Sequence, residues 1–374
     1  MTVKQSPPGS AHRLKSMLIR LPRDIFGLLS WDKSFRTNRI IGSYLLNRLG
    51  LHLLRVLVSH LLFATRSMLL TPLLAPAQRR FFRTHGYLVM ENFLPASRFA
   101  ALTDEIRQYR GEIREETEGN TLTQRVYLTR EVLAGLPECQ RFVRHEALLK
   151  PLRYASSKNR IPFFYLENIV HGGRPAAGRD PQKDFHTDTF HPCVKAWLYL
   201  EEVTASNGPF TLIPGSHRLT WRRLRWEYRQ SLLASQARLN PPAERYWDGS
   251  FRVNEDDIKA LGYGLPQPIT VPPNSLLIAN VHAIHRRGDA PPGASRLTIW
   301  MQSRDNPFNP LFSPFPALTA HAFEFFWKRY TAQRTVEQVR RGHWTIRQGG
   351  FSLLLRTPQG DAPHHAAVPP LASH

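Results

Sequence analysis

Cysteine is almost missing from this chain: Cys139 and Cys193 are the only two in 374 residues. Two thiols cannot build a disulfide framework, and their scarcity points to a reducing compartment. No fixed-period repeat runs through the sequence, which excludes solenoids and propellers. Acidic residues are scarce at the N-terminal end, where Asp24 and Asp32 are the only ones in residues 1–83. An uninterrupted span of about 20 apolar residues is also lacking. The most apolar segment, Leu45 to Leu74, is broken by Arg48, His52, Arg55, His60 and Arg66. The N-terminus shows no charged start leading into an apolar run and a small-residue cleavage site, so a secretory signal is not expected.

What is present is a core-forming composition with a strong basic surplus. Hydrophobic residues make up 42% of the chain and the formal net charge is +21. Thirty prolines and 22 glycines are scattered rather than clustered, which suits a loop-rich fold of many short strands. A surplus of this size attracts anions such as lipid headgroups or phosphorylated small molecules. Nucleic acid is not expected, because the basic region shows neither helix-turn-helix nor aromatic patterning. Leucine density combined with positive charge makes residues 1–78 a helical extension with two readings. One is peripheral contact with a membrane surface; the other is a layer packed on the rest of the protein.

From Arg79 the character changes. The stretch turns at His85-Gly86 into a short strand, Tyr87 to Met90, and a helix follows Pro95-Ala96-Ser97. Residues 111–125, with Glu112, Glu115, Glu116 and Glu118, read as an exposed loop. Strands are expected at Phe163 to Val170, Lys195 to Val203, Phe210 to Ile213, Pro268 to Val271, Ser275 to Asn280 and Leu297 to Ser303. A basic helix covers Leu219 to Leu239, and another helix residues 317–342. The fold class is therefore mainly β with helical additions: a double-stranded β-helix of jelly-roll or cupin-like form, flanked by helices. Residues 79–345 make the domain, with a helical insert at about 219–262, and residues 346–374 a tail whose end is expected to be disordered.

The sharpest local feature is Asp184-Phe185-His186-Thr187-Asp188. In an extended segment His186 and Asp188 share a face, because strand side chains repeat every two residues. An imidazole beside a carboxylate supplies two members of the two-His-one-carboxylate triad of non-haem iron(II) oxygenases. Alone, such a pair is equally a turn or a hydrogen-bonded surface pair. A third ligand must come from a distant strand, and His282 and His285 are both available. His285 is preferred because Arg296 follows it across Pro291-Pro292-Gly293, opening the strand LTIWMQSR. Two antiparallel strands then place His and Arg around one pocket, where a buried Arg can hold the distal carboxylate of 2-oxoglutarate.

With these residues in place, the sequence resembles the phytanoyl-CoA dioxygenase family of iron(II)/2-oxoglutarate-dependent oxygenases. The resemblance runs from about Phe82 to Arg304 and includes HGYLVMENFLP, the block DFHTDTFHPCVKAWLYLEEVTASNGPFTLIPGSHR, and the segment with His285 and Arg296. It implies that His186, Asp188 and His285 are the iron ligands and that Arg296 binds the co-substrate. It also places Trp197 beside 2-oxoglutarate. Thr298, on the strand face of Arg296, is a further candidate for the same carboxylate. Asp188 stands where related halogenases carry a small residue, so hydroxylation is the implied outcome. The resemblance implies Fe(2+), 2-oxoglutarate and O2 as cofactors.

The expected function is hydroxylation of an unactivated C–H bond of a small organic, lipid-like or anionic substrate, with release of succinate and CO2. The expected location is cytoplasmic, peripheral at the inner face of the membrane. Rival readings are a catalytically idle member of the fold that binds at membranes, a charge-driven scaffold, and a cupin-type enzyme working without 2-oxoglutarate. Arg222, Arg223, Arg225 and Arg229, with Trp221, Trp226 and Tyr228, read either as an anion-recognising lid or as a solvated amphipathic helix.

Overall fold

A computed structural model describes residues 21–172, 180–238, 249–303, 306–310 and 344–351, with scattered positions between 312 and 342. One sheet contains β1 (Tyr87–Met90), β2 (Gly111–Glu118), β3 (Thr121–Tyr127), β4 (Phe163–His171), β5 (Val194–Tyr199), β8 (Ser275–Asn280), β10 (Ser295–Ser303) and β11 (Trp344–Gly349). Their order is β1-β8-β5-β10-β4-β3-β2-β11, antiparallel throughout. A small second sheet has β7 (Gln267–Pro268), β6 (Phe210–Leu212) and β9 (His285–Arg287), in the order β7-β6-β9.

The central strands are apolar on both faces, for different reasons. Ala196, Leu198, Leu276 and Ile278 point outward into a core shared with helices. Those helices are α4 (Pro76–His85), α5 (Ala96–Arg107), α6 (Arg130–Ala134), α7 (Pro137–Val143) and α8 (Glu146–Ser156). Trp197, Tyr199, Leu277 and Ala279, one residue out of phase, point inward to the small sheet and pack with Phe210 and Leu212. Each fully buried Leu or Ile here contributes about 1.5–3 kcal/mol. Strands covered on both faces read as near-continuous apolar runs, which is why this part of the sheet was legible. The architecture is mainly β, a jelly roll flanked by helices.

Two expectations are corrected. Residues 111–125 are not an exposed loop but the β2–β3 hairpin, three of whose charged side chains are paired: Glu115 with Arg347, and Arg125 with Glu116 and with Glu167 of β4. The tail expected from residue 346 begins inside β11, which pairs with β2. Described positions between 325 and 340 are helical, within the helix expected over 317–342; residues beyond 351 lie outside the described part.

The N-terminal segment forms α1 (21–28), α2 (Tyr44–Arg48) and α3 (Leu51–Leu69), beside α9 (Trp221–Ala237). His52, Arg55 and Arg66, which interrupt its leucines, turn inward. Arg66 donates to the Ser157 carbonyl at 3.1 Å and the Asn309 carbonyl at 2.5 Å. Arg55 reaches the carbonyls of Leu28, Ser30 and Asp32 and lies 4.1 Å over the Phe190 ring. His52 donates to Glu227 at 2.9 Å, and Glu227 also takes Arg223 at 3.0 Å. Packing on the domain is thus observed for this segment.

Candidate metal centre

Backbone pairing builds the site. Residues 185–188 run extended between two neighbours. On one side Val253 N–H donates to the Phe185 carbonyl and Thr187 N–H to the Phe251 carbonyl. On the other, His186 and His285 exchange both backbone hydrogen bonds, at 2.9 and 3.0 Å. The two histidines therefore stand directly opposite each other, with ring centroids 4.5 Å apart. The two-residue period brings Asp188 to the same side: its Oδ1 is 3.7 Å from His186 Nε2 and its Oδ2 is 3.7 Å from His285 Nε2. All three ligand atoms lie within 4.8 Å of one another.

Hydrogen bonding decides which nitrogens face the centre. Nδ1 of His186 donates to the Asp184 carbonyl at 2.7 Å, and Nδ1 of His285 to the Ala283 carbonyl at 2.8 Å. A carbonyl only accepts, so the protons sit on Nδ1 and each Nε2 keeps a lone pair for a cation. Burial holds both imidazoles below their ordinary pKa, and they are neutral. Burial would raise the Asp188 carboxyl, but Lys195 and the two imidazoles outweigh it and hold the group well below the usual carboxylate range. Two neutral imidazoles and an ionised carboxylate fit iron(II), with coordination positions left over.

The cluster opens into a cavity of about 370 Å³ between the two sheets, lined among others by His186, His285, Trp197, Phe210 and Arg296. His285 and Arg296 do face one pocket, but not from paired strands. β9 hydrogen-bonds to β6 and to residue 186, whereas β10 lies between β4 and β5. The Pro-Pro-Gly turn carries the chain from one sheet to the other, so the two residues approach from opposite walls.

Arg296 is buried, and among the described residues no carboxylate is ion-paired with it. It donates to the Gly208 carbonyl, while its Nε has no partner. Gly208 is constrained twice: its φ is +77°, and a Cβ there would lie 2.7 Å from His171 Nε2. A buried guanidinium lacking a carboxylate is costly unless a ligand brings one, and the free end of a diacid would.

Of the other sequence candidates, Trp197 lines the cavity, 4.9 Å from the Phe210 ring. Thr298, on the same strand face as Arg296, is buried, donates to the Glu167 carbonyl at 3.3 Å, and is not among the lining residues. His282 points away, its Nδ1 to the Thr189 carbonyl and its ring 4.7 Å from that of His60. His191 is buried with its Nδ1 on the Pro192 carbonyl, outside the cavity lining. Tyr165, Glu167 and Ile169 line the cavity, which identifies the inner face of β4; Asn168, of opposite parity, bonds Gln124. No residue of α9 lines it, so the lid reading of the Arg-rich segment is corrected: that helix packs on α2 and α3.

Two functional neighbours were missed. Lys195 Nζ lies 2.7 Å from Asp188 Oδ2. It was within reach of the same reasoning, since it shares the inward parity of Trp197 in KAWLYL. Lys33, far away in the N-terminal segment, donates to the Asp188 carbonyl at 2.5 Å; no local signal announces it.

Residues 82–248 match the family model described as phytanoyl-CoA dioxygenase (PhyH); His186 and Asp188 fall inside the match, His285 and Arg296 beyond it. No curated protein matches the chain. Among solved structures it is similar to the epimerase SnoN in complex with Fe3+, alpha ketoglutarate and nogalamycin RO, at 17% identity over 61% of this chain and 84% of that one, TM-score 0.40. It is also similar to HygX from Streptomyces hygroscopicus with nickel and 2-oxoglutarate bound, at 20% identity over 61% and 86%, TM-score 0.37. A third is the carbocyclase SnoK from nogalamycin biosynthesis, at 14% identity over 62% and 84%, TM-score 0.38. Residues 82–248, a little under half of the chain, are thus similar to the phytanoyl-CoA dioxygenase family.

Proposed function

We propose that the protein hydroxylates an unactivated C–H bond of a small organic substrate of lipid-like or anionic character, consuming 2-oxoglutarate and O2 and releasing succinate and CO2. The observation that carries this reading is the convergence of His186, Asp188 and His285 on one point of a cavity that also holds an Arg296 without a carboxylate. In this assignment residues 79–345 form the catalytic domain, with the three clustered side chains as iron ligands. Arg296 grips the distal carboxylate of 2-oxoglutarate, Trp197 walls the co-substrate, and Thr298, on the strand face of Arg296, is assigned to the same carboxylate.

Iron(II) with 2-oxoglutarate supplies the activation of dioxygen that such chemistry needs. The chain's own part is positional. The Nδ1 hydrogen bonds hold both rings with Nε2 toward the metal, and Lys195 fixes one carboxylate oxygen so that the other points inward. Tyr127, Tyr165 and Trp300 provide aromatic walls for the substrate. Arg114, which lines the cavity with no ion pair among the described residues, favours an anionic group on it. A cytoplasmic position against the inner face of a membrane belongs to the same reading, supported by the leucines that α3 turns to solvent. Among the described residues no helix is long and apolar enough to cross a bilayer.

Anaerobic titration with iron(II) and 2-oxoglutarate tests the assignment. The weak visible charge-transfer band should grow in with the wild type and be absent from Asp188→Ala. Succinate should form once air is admitted. A wild-type protein giving neither band nor succinate would end this reading.

A further inference from the structure

Helix α3 is amphipathic the wrong way round for a soluble surface helix. Its buried face carries His52, Arg55, Ser59 and Arg66 beside Val56. Its solvent face carries Leu54, Leu57, Leu61, Met68 and Leu69, of which Leu61 and Leu69 are each 67% exposed. At 100° per residue these positions fall in one continuous stripe. Three of the residues that break the apolar run in sequence, His52, Arg55 and Arg66, are used up inside, on carbonyls and on Glu227. The leucine stripe is therefore preformed and free of charge. Helix α2, next to it, adds exposed Leu45 and Leu49.

Charge within the segment that carries the stripe has one sign. Between Asp32 and Glu91 the chain contains no acidic residue. Arg48 in α2 and Arg80 and Arg83 in α4 are exposed. Helix α9, packed beside α2 and α3, exposes Trp221, Arg222, Arg225 and Arg229. Single exposed leucines are ordinary, but a contiguous apolar stripe on a folded domain marks an interaction surface. Leucines bordered by arginine and tryptophan, on a segment without acids from Lys33 to Met90, match an anionic bilayer: the apolar side chains enter the acyl boundary and the guanidinium groups meet phosphate.

We propose that the solvent face of α3, with the cations of α2 and α9 around it, docks this protein on an anionic lipid surface. Docking uses a rigid layer rather than a segment that folds on contact. That layer also touches the metal centre, since Lys33 and Arg55 brace the Asp188–Phe190 segment from behind. The enzyme would thus be held at the membrane through the same helices that support its ligand loop.

Vesicle flotation of the full chain tests this directly, with phosphatidylcholine alone and with 7:3 phosphatidylcholine:phosphatidylglycerol, at low and high salt. The wild type should float with the anionic vesicles, less at high salt and least with phosphatidylcholine alone. Leu57→Gln combined with Leu61→Gln, both at exposed positions, should weaken binding at least about tenfold with thermal unfolding unchanged. Failure of the wild type to float, or flotation unaltered in the double variant, overturns the proposal. So does light scattering that shows a wild-type dimer split by the double variant, because a second copy would then cover the stripe. Flotation requires neither iron nor 2-oxoglutarate, so its result stands apart from that of the oxygenase assignment.

Discussion

Two cations on the inner face of one sheet meet opposite electrostatic fates. Lys195 has a carboxylate at 2.7 Å, whereas Arg296 has none. Replacing Lys195 by Met should leave the fold intact and lower metal affinity by about tenfold, because Asp188 loses the partner that orients it. A cobalt(II) absorbance titration checks this, and unchanged affinity would show that Lys195 does not orient the ligand. Arg296→Gln should weaken 2-oxoglutarate binding by roughly 100-fold, the loss of charge-assisted hydrogen bonds worth about 1.5–3 kcal/mol each. Metal affinity without co-substrate should change little. Anaerobic calorimetry separates the two, and equal losses in both would point to a damaged cavity rather than a lost carboxylate grip.

Among the helices, α3 and α9 are joined by a buried hydrogen bond from His52 to Glu227. His52, Glu227 and Arg223 form a fully buried chain, and such a chain is fragile when one member goes. Glu227→Ala should destabilise the protein by about 3–5 kcal/mol, since it strands the Arg223 guanidinium without a counter-charge. Urea unfolding would reveal it; a loss under about 1 kcal/mol would mean that water reaches the site. The same pairing explains why, of the two readings of α9, the lid fails. Four arginines and two tryptophans suggest a lid over a ligand, yet Arg223 is spent on Glu227 and the Ser216 carbonyl. The β2–β3 hairpin was hidden for a like reason: two of its glutamates, Glu115 and Glu116, are paired across strands with arginines, one of them from β11.

Across the whole molecule, buried histidines make stability depend on pH. Burial holds His60 and His217 at about 4 and His191 at about 3. Above pH 6.5 these groups are neutral in both folded and unfolded chains and add no pH dependence. As pH falls through 6.5 the unfolded chain takes up protons that the folded chain refuses, so stability is lost progressively toward pH 4 and below. At pH 5 each group should cost about 2 kcal/mol relative to pH 7.5. Urea midpoints across that range measure the slope, and a flat profile would contradict the burial. How much of the protein was legible beforehand follows from how local each signal is. The inward and outward phases of β5 and β8, the turn at Gly86, and the parity that pairs His186 with Asp188 are properties of a few consecutive residues, and the sequence determined them unaided. Which histidine completes the cluster, that Arg296 faces it from the other sheet, that Lys33 braces Asp188, and that α3 turns its arginines inward were decided by tertiary structure alone. Each depends on a partner about ninety or more residues away or on a strand order that no local periodicity encodes.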